Sequence, residues 1–143
     1  MKSCLTPRLV VRDAAAALEF YRKALGVREV ERYAMNGLVI HSTIEFEDGT
    51  QVSVIDERRA WGNDAPPSIG GSPILLRLQL DEPDALGAMM VEHGAVVVIP
   101  IEDRFYGYRE GRIRDPFGHL WILSKEIEAL EPEEIQRRID AGG

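Results

Sequence analysis

The chain has 143 residues, of which 45% are hydrophobic and 29% are charged, and its formal net charge is −7. This length suits one globular domain that buries a core of its own, and the proportions are ordinary for such a domain. The negative balance argues against nucleic acid as a partner, because binding to phosphate requires concentrated lysine and arginine.

The first half of the chain predicts one strand, one helix and three further strands. A strand over residues 5–11 leads into a helix over 14–25. Asp13 can cap the start of this helix, and Gly26 ends it. The next strands, separated by the turn pairs Asn36-Gly37 and Asp48-Gly49, are expected at about 27–34, 38–46 and 51–56. The following segment, residues 56–73, is rich in glycine, proline and charge, which indicates a loop.

The second half predicts the same order of elements and then a tail. Its first strand is expected at 74–80 and its helix at about 83–93. The remaining strands are expected at 95–101, near 109–114 and at 119–125. After Pro132 the sequence predicts one more helix, in which Ile135 and Ile139 are spaced to pack against the fold.

The two halves share their spacing as well as their order of elements. Asp13 precedes Gly26 by thirteen residues, and Asp81 precedes Gly94 by the same distance. A repeat this long indicates a duplicated module rather than a solenoid, which requires at least three copies. The sequence therefore predicts an α+β fold of two βαβββ modules. We place module 1 at about 4–57, a linker at about 58–72, module 2 at about 73–126 and a helical tail at 127–143, all within one domain, 1–143.

The alternation of side chains along the strands separates an apolar face from a mixed one. The apolar face of the first strand includes Leu5, Leu9 and Val11, and such a face must lie under the helices. The mixed faces of the strands include Thr6, Arg8, His41, Thr43, Gln51, Ser53, Arg77 and Gln79. These residues either meet solvent or line an enclosed cavity, and alternation alone leaves both interpretations open.

Three further observations concern ligand contacts and possible catalysis. Tyr106 and Tyr108 precede the DPFG turn, where they could stack on a flat ligand or pack their own loop. His41 is the candidate base, because an imidazole titrates near neutrality. The sequence contains no Ser-His-Asp order, P-loop or dinucleotide-binding glycine motif.

The compartment can be inferred from cysteine usage and hydropathy. Cys4 is the only cysteine, which excludes an internal disulfide and a zinc site built from several thiolates. The N-terminus has no apolar run typical of a signal peptide. No segment approaches the ~18 apolar residues of a membrane span. We therefore expect a cytoplasmic protein that contacts neither membrane nor nucleic acid.

Four segments stand out in order along most of the chain: VRDAAAALEFYRKALG, IHSTIEFEDGTQVSVIDE, SPILLRLQLDEPDAL and YREGRIRDPFGHLWIL. These segments resemble the vicinal oxygen chelate superfamily, which includes glyoxalase I, bleomycin resistance proteins and extradiol dioxygenases. The DPFGHLW turn followed by the tail LEPEEIQRR resembles the PhnB-like branch of this superfamily.

The resemblance implies a curved, cup-like mixed sheet with helices on its outer face and a ligand inside the cup. It also implies a homodimer, since two-module chains of this kind often build their cups from both subunits. On this interpretation the mixed strand faces line the ligand site together with Tyr106, Tyr108 and Ile122.

The resemblance also implies where a metal would bind. Metal-dependent members place one ligand on each of four strands, and offsets from shared landmarks transfer these positions to Thr6, Ser53, Leu75 and Ile122. Leu75 and Ile122 cannot donate to a metal, and the two hydroxyls are poor ligands for a divalent ion. We therefore predict a metal-free protein without cofactors that sequesters or recognises a small organic ligand of unknown identity.

Two other functions remain open. The chain could be a metal-dependent lyase, isomerase or dioxygenase of the same superfamily, with an atypical site around His41 and Glu45. It could also be a domain with a vestigial pocket that mainly dimerises. Arg8 and Arg77 open the two modules at related places, so in a closed cup they would converge. We expect Glu45 or an acidic ligand group to compensate their charge.

Overall fold

The first half of the chain forms a four-stranded mixed sheet in the computed structural model, which describes residues 1–143. Its strands are β1 Arg8–Val11, β2 Arg28–Met35, β3 Leu38–Glu45 and β4 Gln51–Asp56. They lie in the order β1-β4-β3-β2, with β1 parallel to β4 and the other neighbours antiparallel. Helix α1, Ala14–Leu25, packs against this sheet. The sheet and helix together form one βαβββ module.

Local signals fix both ends of α1. The Asp13 side chain accepts a hydrogen bond from the Ala16 amide at 3.0 Å, and Gly26 ends the helix with φ at 66°. Asp56, at the end of β4, accepts bonds from the amides of Ala14 at 2.8 Å and Val39 at 2.7 Å. This carboxylate therefore ties the start of the helix to two strands of the sheet.

The second half of the chain repeats the arrangement. Its strands are β5 Leu75–Gln79, β6 Val96–Asp103, β7 Tyr108–Arg114 and β8 Leu120–Glu126, in the order β5-β8-β7-β6. Helix α3, Pro83–Glu92, packs on this sheet, and α4, Pro132–Asp140, follows it. A 3-10 turn, Arg59–Trp61, and the short helix α2, Pro66–Ile69, lie between the modules. The α+β class and the two-module topology are thereby confirmed.

The chain forms two compact units. The first comprises Met1–Pro73 with Pro116–His119, and the second comprises Ile74–Asp115 with Leu120–Gly143. Phe117 accordingly packs on the aromatic rings of α1, within the first unit. No helix combines the length and apolar character that a membrane crossing requires.

Each unit buries the sheet face that lies under its helix. The first unit buries Val11, Tyr21, Ile44 and Val54 completely or almost completely, and the second buries Met90, Ile113, Trp121 and Leu123. Leu9 and Val11 confirm the apolar parity expected for the first strand, and Trp121 of β8 is buried in the second unit.

The two sheets also agree in register. Arg8 pairs with Ser53 in the first sheet, and Arg77 pairs with Ile122 in the second, each 69 residues further along the chain. The pairing of Ile44 with Val52 places Thr43 opposite Ser53, as Arg112 lies opposite Ile122. Thr43 and Arg112 therefore occupy corresponding positions in the two modules.

Three details differ from the expectation. The first strand begins at Arg8 rather than residue 5, and Leu5 is 91% exposed, because Pro7 lacks the amide needed to extend the ladder there. Ile139 is half exposed rather than packed, although α4 forms as predicted. The segment 56–73 is not only loop, since it contains the 3-10 turn and α2.

Candidate functional site

One row of side chains crosses the second sheet on the face that α3 leaves open. The register aligns Ile99 of β6 with Arg112 of β7, Ile122 of β8 and Arg77 of β5. Two arginines thus alternate with two isoleucines across four strands. Arg112 and Ile122 are half-buried, so the row combines apolar surface with positive charge close to solvent.

Beside this row lies the Glu110 cluster, formed by Glu110, Tyr106, Ser124 and Arg77. The hydroxyls of Tyr106 and Ser124 donate to the two carboxylate oxygens of Glu110, the latter at 2.7 Å. Arg77 Nη2 lies 3.7 Å from Glu110 and donates to Ser124 Oγ at 3.2 Å. Ser124 is fully buried. The carboxylate of Glu110 is therefore engaged by three neighbours, of which Arg77 carries the positive charge.

Aromatic rings border the same cluster. The guanidinium carbon of Arg77 lies 4.6 Å from the centre of the Tyr108 ring, a cation–π contact. The rings of Tyr106 and Tyr108 are 6.3 Å apart. Burial, followed by the hydrogen bond to Glu110, raises the pKa of Tyr106 to about 12. Tyr106 therefore remains a neutral hydrogen-bond donor at physiological pH.

A small cavity opens beside these residues and has about 80 Å³ of water-accessible space. Its lining consists of Ile99, Arg104, Tyr106, Glu110, Gly111, Arg112 and Ile122. Arg104 holds the cavity wall in place, because it donates to the backbone carbonyls of Glu110 at 3.1 Å and Pro100, and to the Glu102 carboxylate at 3.3 Å. The cavity is large enough for a group of a few atoms.

The first sheet carries a different cluster, the Glu31 cluster, formed by Glu31, Tyr33, His41 and Thr43. His41 Nε2 lies 2.9 Å from Glu31, and the hydroxyls of Tyr33 and Thr43 donate to the same carboxylate at 3.0 and 3.1 Å. The Tyr33 ring stacks on the imidazole at 5.8 Å. The bond to His41, more than those to Tyr33 and Thr43, lowers the pKa of Glu31.

The other predicted residues of the first sheet make separate contacts. Arg8 donates to the Ile40 carbonyl at 3.1 Å. Glu45 binds Arg28 and Gln51, each at 2.8 Å, so it is bonded to neither His41 nor Arg8. The register of β2 and β3 brings Arg28 opposite Glu45, so Glu45 compensates the charge of Arg28 rather than that of Arg8.

The four positions that the family uses for metal do not fit a divalent ion in this chain. Thr6 lies before β1 and is exposed, whereas Ser53 is 2% exposed and its Oγ has no hydrogen-bond partner. Leu75 and Ile122 offer no donor atom. No group of three or more histidine, cysteine, aspartate or glutamate side chains is arranged to hold a metal anywhere in the chain.

The structure brings several predicted site residues together and leaves others apart. Arg77, Tyr106, Tyr108 and Ile122 lie around Glu110, and His41 lies 3.4 Å from Thr43 Oγ1. Thr6, Gln51 and Gln79 are exposed and belong to neither cluster. Residues of the two clusters and the cavity that sequence reasoning missed are Glu31, Tyr33, Ile99, Arg104, Glu110, Gly111, Arg112 and Ser124. The polar alternation of YREGRIR in β7 could have indicated Glu110 and Arg112.

Comparison with protein families and sequences identifies close relatives. The model of the Glyoxalase/Bleomycin resistance protein/Dioxygenase superfamily matches residues 4–123. A protein of Mycobacterium bovis described as uncharacterised is 34% identical over 146 residues, which cover 100% of this chain and 96% of the relative. A Mycobacterium tuberculosis protein with the same description is also 34% identical, and the match covers 100% of this chain and 86% of that relative.

Solved structures share the fold. TioX from Micromonospora superposes with a TM-score of 0.66 at 23% identity, covering 87% of this chain and 99% of TioX. A gene product from Arabidopsis thaliana gives 0.68 at 25% identity, with the same coverage of the two chains. A glyoxalase family protein from Bacillus cereus gives 0.71 at 14% identity, covering 90% of this chain and 96% of that one.

Proposed function

The chain belongs to the glyoxalase/bleomycin resistance protein/dioxygenase superfamily, and we propose that within it the chain is a metal-free small-molecule-binding protein of the PhnB-like type. One observation carries the proposal. At the position where metal-dependent members hold a ligand, Ile122 lines a cavity between arginine and tyrosine side chains. Such a lining suits an organic ligand, because small-molecule sites combine apolar contacts with a few polar anchors.

The proposed site extends over the open face of the second sheet. Ile99 and Ile122 supply apolar contact, Tyr106 and Tyr108 supply aromatic surface, and Arg77 is the polar anchor closest to Tyr108. Residues of the other strands are proposed as further ligand contacts: Thr6, Arg8, His41, Thr43, Gln51, Ser53 and Gln79. We place the protein in the cytoplasm, since a chain with one cysteine needs no oxidising compartment.

The Glu31 cluster favours a second candidate function, a lyase or isomerase. Glu31 holds the imidazole of His41 at 2.9 Å, and an acidic partner of this kind orients a histidine for proton abstraction. In this role His41 would be the general base and Glu31 its positioning residue. The metal-dependent variant of this candidate has less support, because Glu45 is bonded to Arg28 and Gln51 instead.

Native mass spectrometry of freshly purified protein tests the proposal directly, with elemental analysis of the same sample. We expect a co-purified organic ligand, and zinc, iron, nickel and manganese well below one atom per chain. About one atom of such a metal per chain, lost in His41→Ala, would overturn the proposal in favour of the metal-dependent enzyme.

The contribution of Arg77 to binding can be measured by calorimetric titration with the ligand identified in this way. Arg77→Ala should weaken binding about tenfold or more, because a charge-assisted contact is worth ~1.5–3 kcal/mol. Arg114→Ala is the matched control, since Arg114 is also an exposed arginine of this sheet but, unlike Arg77, contacts neither Tyr108 nor Glu110. Equal affinities of wild type and Arg77→Ala would show that Arg77 is only a solvated strand residue.

A further inference from the structure

Arg112 is a partly buried cation without a partner. Its Nε is shielded from solvent and has no hydrogen-bond acceptor, and its guanidinium takes part in no ion pair of the chain. A buried polar atom that lacks a partner costs free energy, and most such atoms in folded proteins are satisfied. The position of Arg112 therefore requires an explanation beyond the stability of the fold.

The neighbours of Arg112 explain why no group of the chain satisfies it. The side chains of Ile99 and Ile122, which flank it on the adjacent strands, cannot accept hydrogen bonds. Glu110 lies two residues away on the same face, but Tyr106, Ser124 and Arg77 already surround its carboxylate. The cavity thus keeps uncompensated positive charge at Arg112.

The other charged residues of the cavity lining do not compensate Arg112 either. Arg104 and Arg112 both line it, and Glu110 is the only carboxylate in the lining. Arg104 cannot satisfy Arg112, because a guanidinium has no acceptor atom, and its own donors are directed to backbone carbonyls and to Glu102. An acceptor must therefore come from outside the chain, and an anion suits a guanidinium best.

We propose that Arg112 anchors an oxyanion, a carboxylate or a phosphate group, at the end of the ligand that enters this cavity. The proposal rests on the proposed function, since it names the chemical class of that ligand. The cavity volume of about 80 Å³ exceeds the ~10–15 Å³ that a single water requires, so it admits a small charged group. Ile99, Ile122 and Tyr106 then contact the apolar part next to the anion.

Nuclear magnetic resonance of protein with ¹⁵N-labelled arginine tests this directly, because the Nε–H signal of Arg112 reports on its own acceptor. The probes are benzoate, its neutral isostere benzamide, and inorganic phosphate. We expect benzoate or phosphate to shift the Arg112 signal saturably, and benzamide to bind at least about tenfold more weakly.

Three variants separate the role of Arg112 from a general effect of positive charge. Arg112→Gln should weaken anion binding about tenfold or more, and Arg112→Lys should retain part of it, because the charge remains but the planar fork is lost. Arg114→Gln removes the same charge from the same strand outside the cavity and should bind as wild type does. Backbone amide spectra verify that each variant is folded.

The outcomes distinguish this inference from the proposed function. Saturable binding of benzoate alone identifies a carboxylate ligand, whereas binding of phosphate alone identifies a phosphate ligand, and both support the inference. If benzoate and benzamide bind equally, or if no probe shifts the Arg112 signal at millimolar concentration, the inference is wrong. A metal-free organic ligand found by native mass spectrometry would still support the proposed function in that case.

Discussion

Glu31 and Glu110 are each surrounded by three donor side chains, and this arrangement determines what each carboxylate can do. Glu31 accepts from Tyr33 and Thr43 and contacts His41. Such bonds favour the charged form of a carboxylate. Glu31 is therefore a fixed negative charge that orients its neighbours. Glu110 holds Tyr106 and Ser124 in place by accepting hydrogen bonds from their hydroxyls.

The pKa of Glu31 should depend mainly on His41. His41→Ala should raise this pKa towards its ordinary value, because the bond to His41 is the largest cause of the lowering. Thr43→Val, which removes a smaller contribution, should raise it less. The measurement is the pH dependence of the Glu31 Cδ resonance, and an unchanged pKa in His41→Ala would contradict the paired geometry.

The lowered pKa of Glu31 also determines how this residue affects the stability of the fold at different pH. The folded chain binds a proton at Glu31 less tightly than the unfolded chain does, since the folded pKa is lowered. The carboxylate therefore contributes stability above its unfolded pKa, and this contribution is lost as the pH falls through its folded pKa.

The pKa of Tyr106 should depend on the side chain at position 110. Glu110→Gln should lower the pKa of Tyr106 from about 12, but not to its ordinary 10.0, because burial is the larger cause and remains. Since the folded pKa is raised, the associated stability is present below the unfolded pKa and is lost as pH rises through the folded pKa. Titration of ¹³C-labelled tyrosine measures this, and a pKa unaffected by Glu110→Gln would refute the hydrogen bond.

The sequence predicted only part of the candidate site at the scale of residues. Strand alternation selected Arg77, and the aromatic run near the turn selected Tyr106 and Tyr108, which lie beside one another as found. Glu110 could not be placed at their centre, because its partners come from β5, β8 and the β6–β7 turn. Such contacts depend on strand register, which short-range patterns do not specify.

At the scale of elements, Gly111 lets strands β6 and β7 approach each other closely. A Cβ at Gly111 would lie 2.6 Å from the Ile99 carbonyl oxygen and 2.7 Å from the Ile101 amide nitrogen. These are backbone atoms, so they cannot move aside as a side chain could. The register of β6 is irregular along this stretch, where Pro100 provides no amide for the ladder.

Gly111→Ala should therefore destabilise the fold by about 3 kcal/mol, at the upper end of ordinary overpacking. Gly87→Ala in α3 is the matched control. Its Cβ would meet only side-chain methyl groups, of Ile101 at 2.9 Å and Ile113 at 3.1 Å. These methyl groups can shift, and alanine favours the helix by ~1 kcal/mol over glycine, so we expect little net change. Urea unfolding measures both, and equal costs would contradict the steric argument.

Most elements could be predicted because local signals and periodicity agree. Asp13 and Gly26 fixed α1, and Asn36-Gly37 fixed the turn between β2 and β3, where both residues have positive φ. The start of β1 could not be predicted from alternation, since Leu5 continues the apolar pattern outside the strand. Ile139 likewise has helical spacing, but no partner surface covers it.

At the scale of the whole molecule, the outer strands of the two sheets differ in character. The edge strand β2 has charged residues at Arg28, Glu29, Glu31 and Arg32. The edge strand β6 begins instead with an apolar run, and Val96 and Val97 are 57% and 49% exposed. An exposed apolar edge tends to pair with another chain, whereas charge protects an edge from pairing.

We propose a homodimer that uses the β6 edge. Val96→Lys should shift the dimer towards monomer, because a charge there opposes edge pairing. Val30→Lys is the control, since Val30 is an exposed valine of the charged edge strand β2, and it should leave the dimer intact. Sedimentation equilibrium at micromolar concentration measures both variants. A wild-type chain that sediments as a single monomer would show that the proposal is wrong.

The matched register of the two modules has a consequence for stoichiometry. Thr43 stands where the second module has Arg112, and it donates to Glu31, so an anion would there meet a carboxylate instead of an unpaired guanidinium. Like charges repel at such distances. Duplication of the module has therefore not doubled the capacity for an acidic ligand, and a titration should saturate at one equivalent per chain.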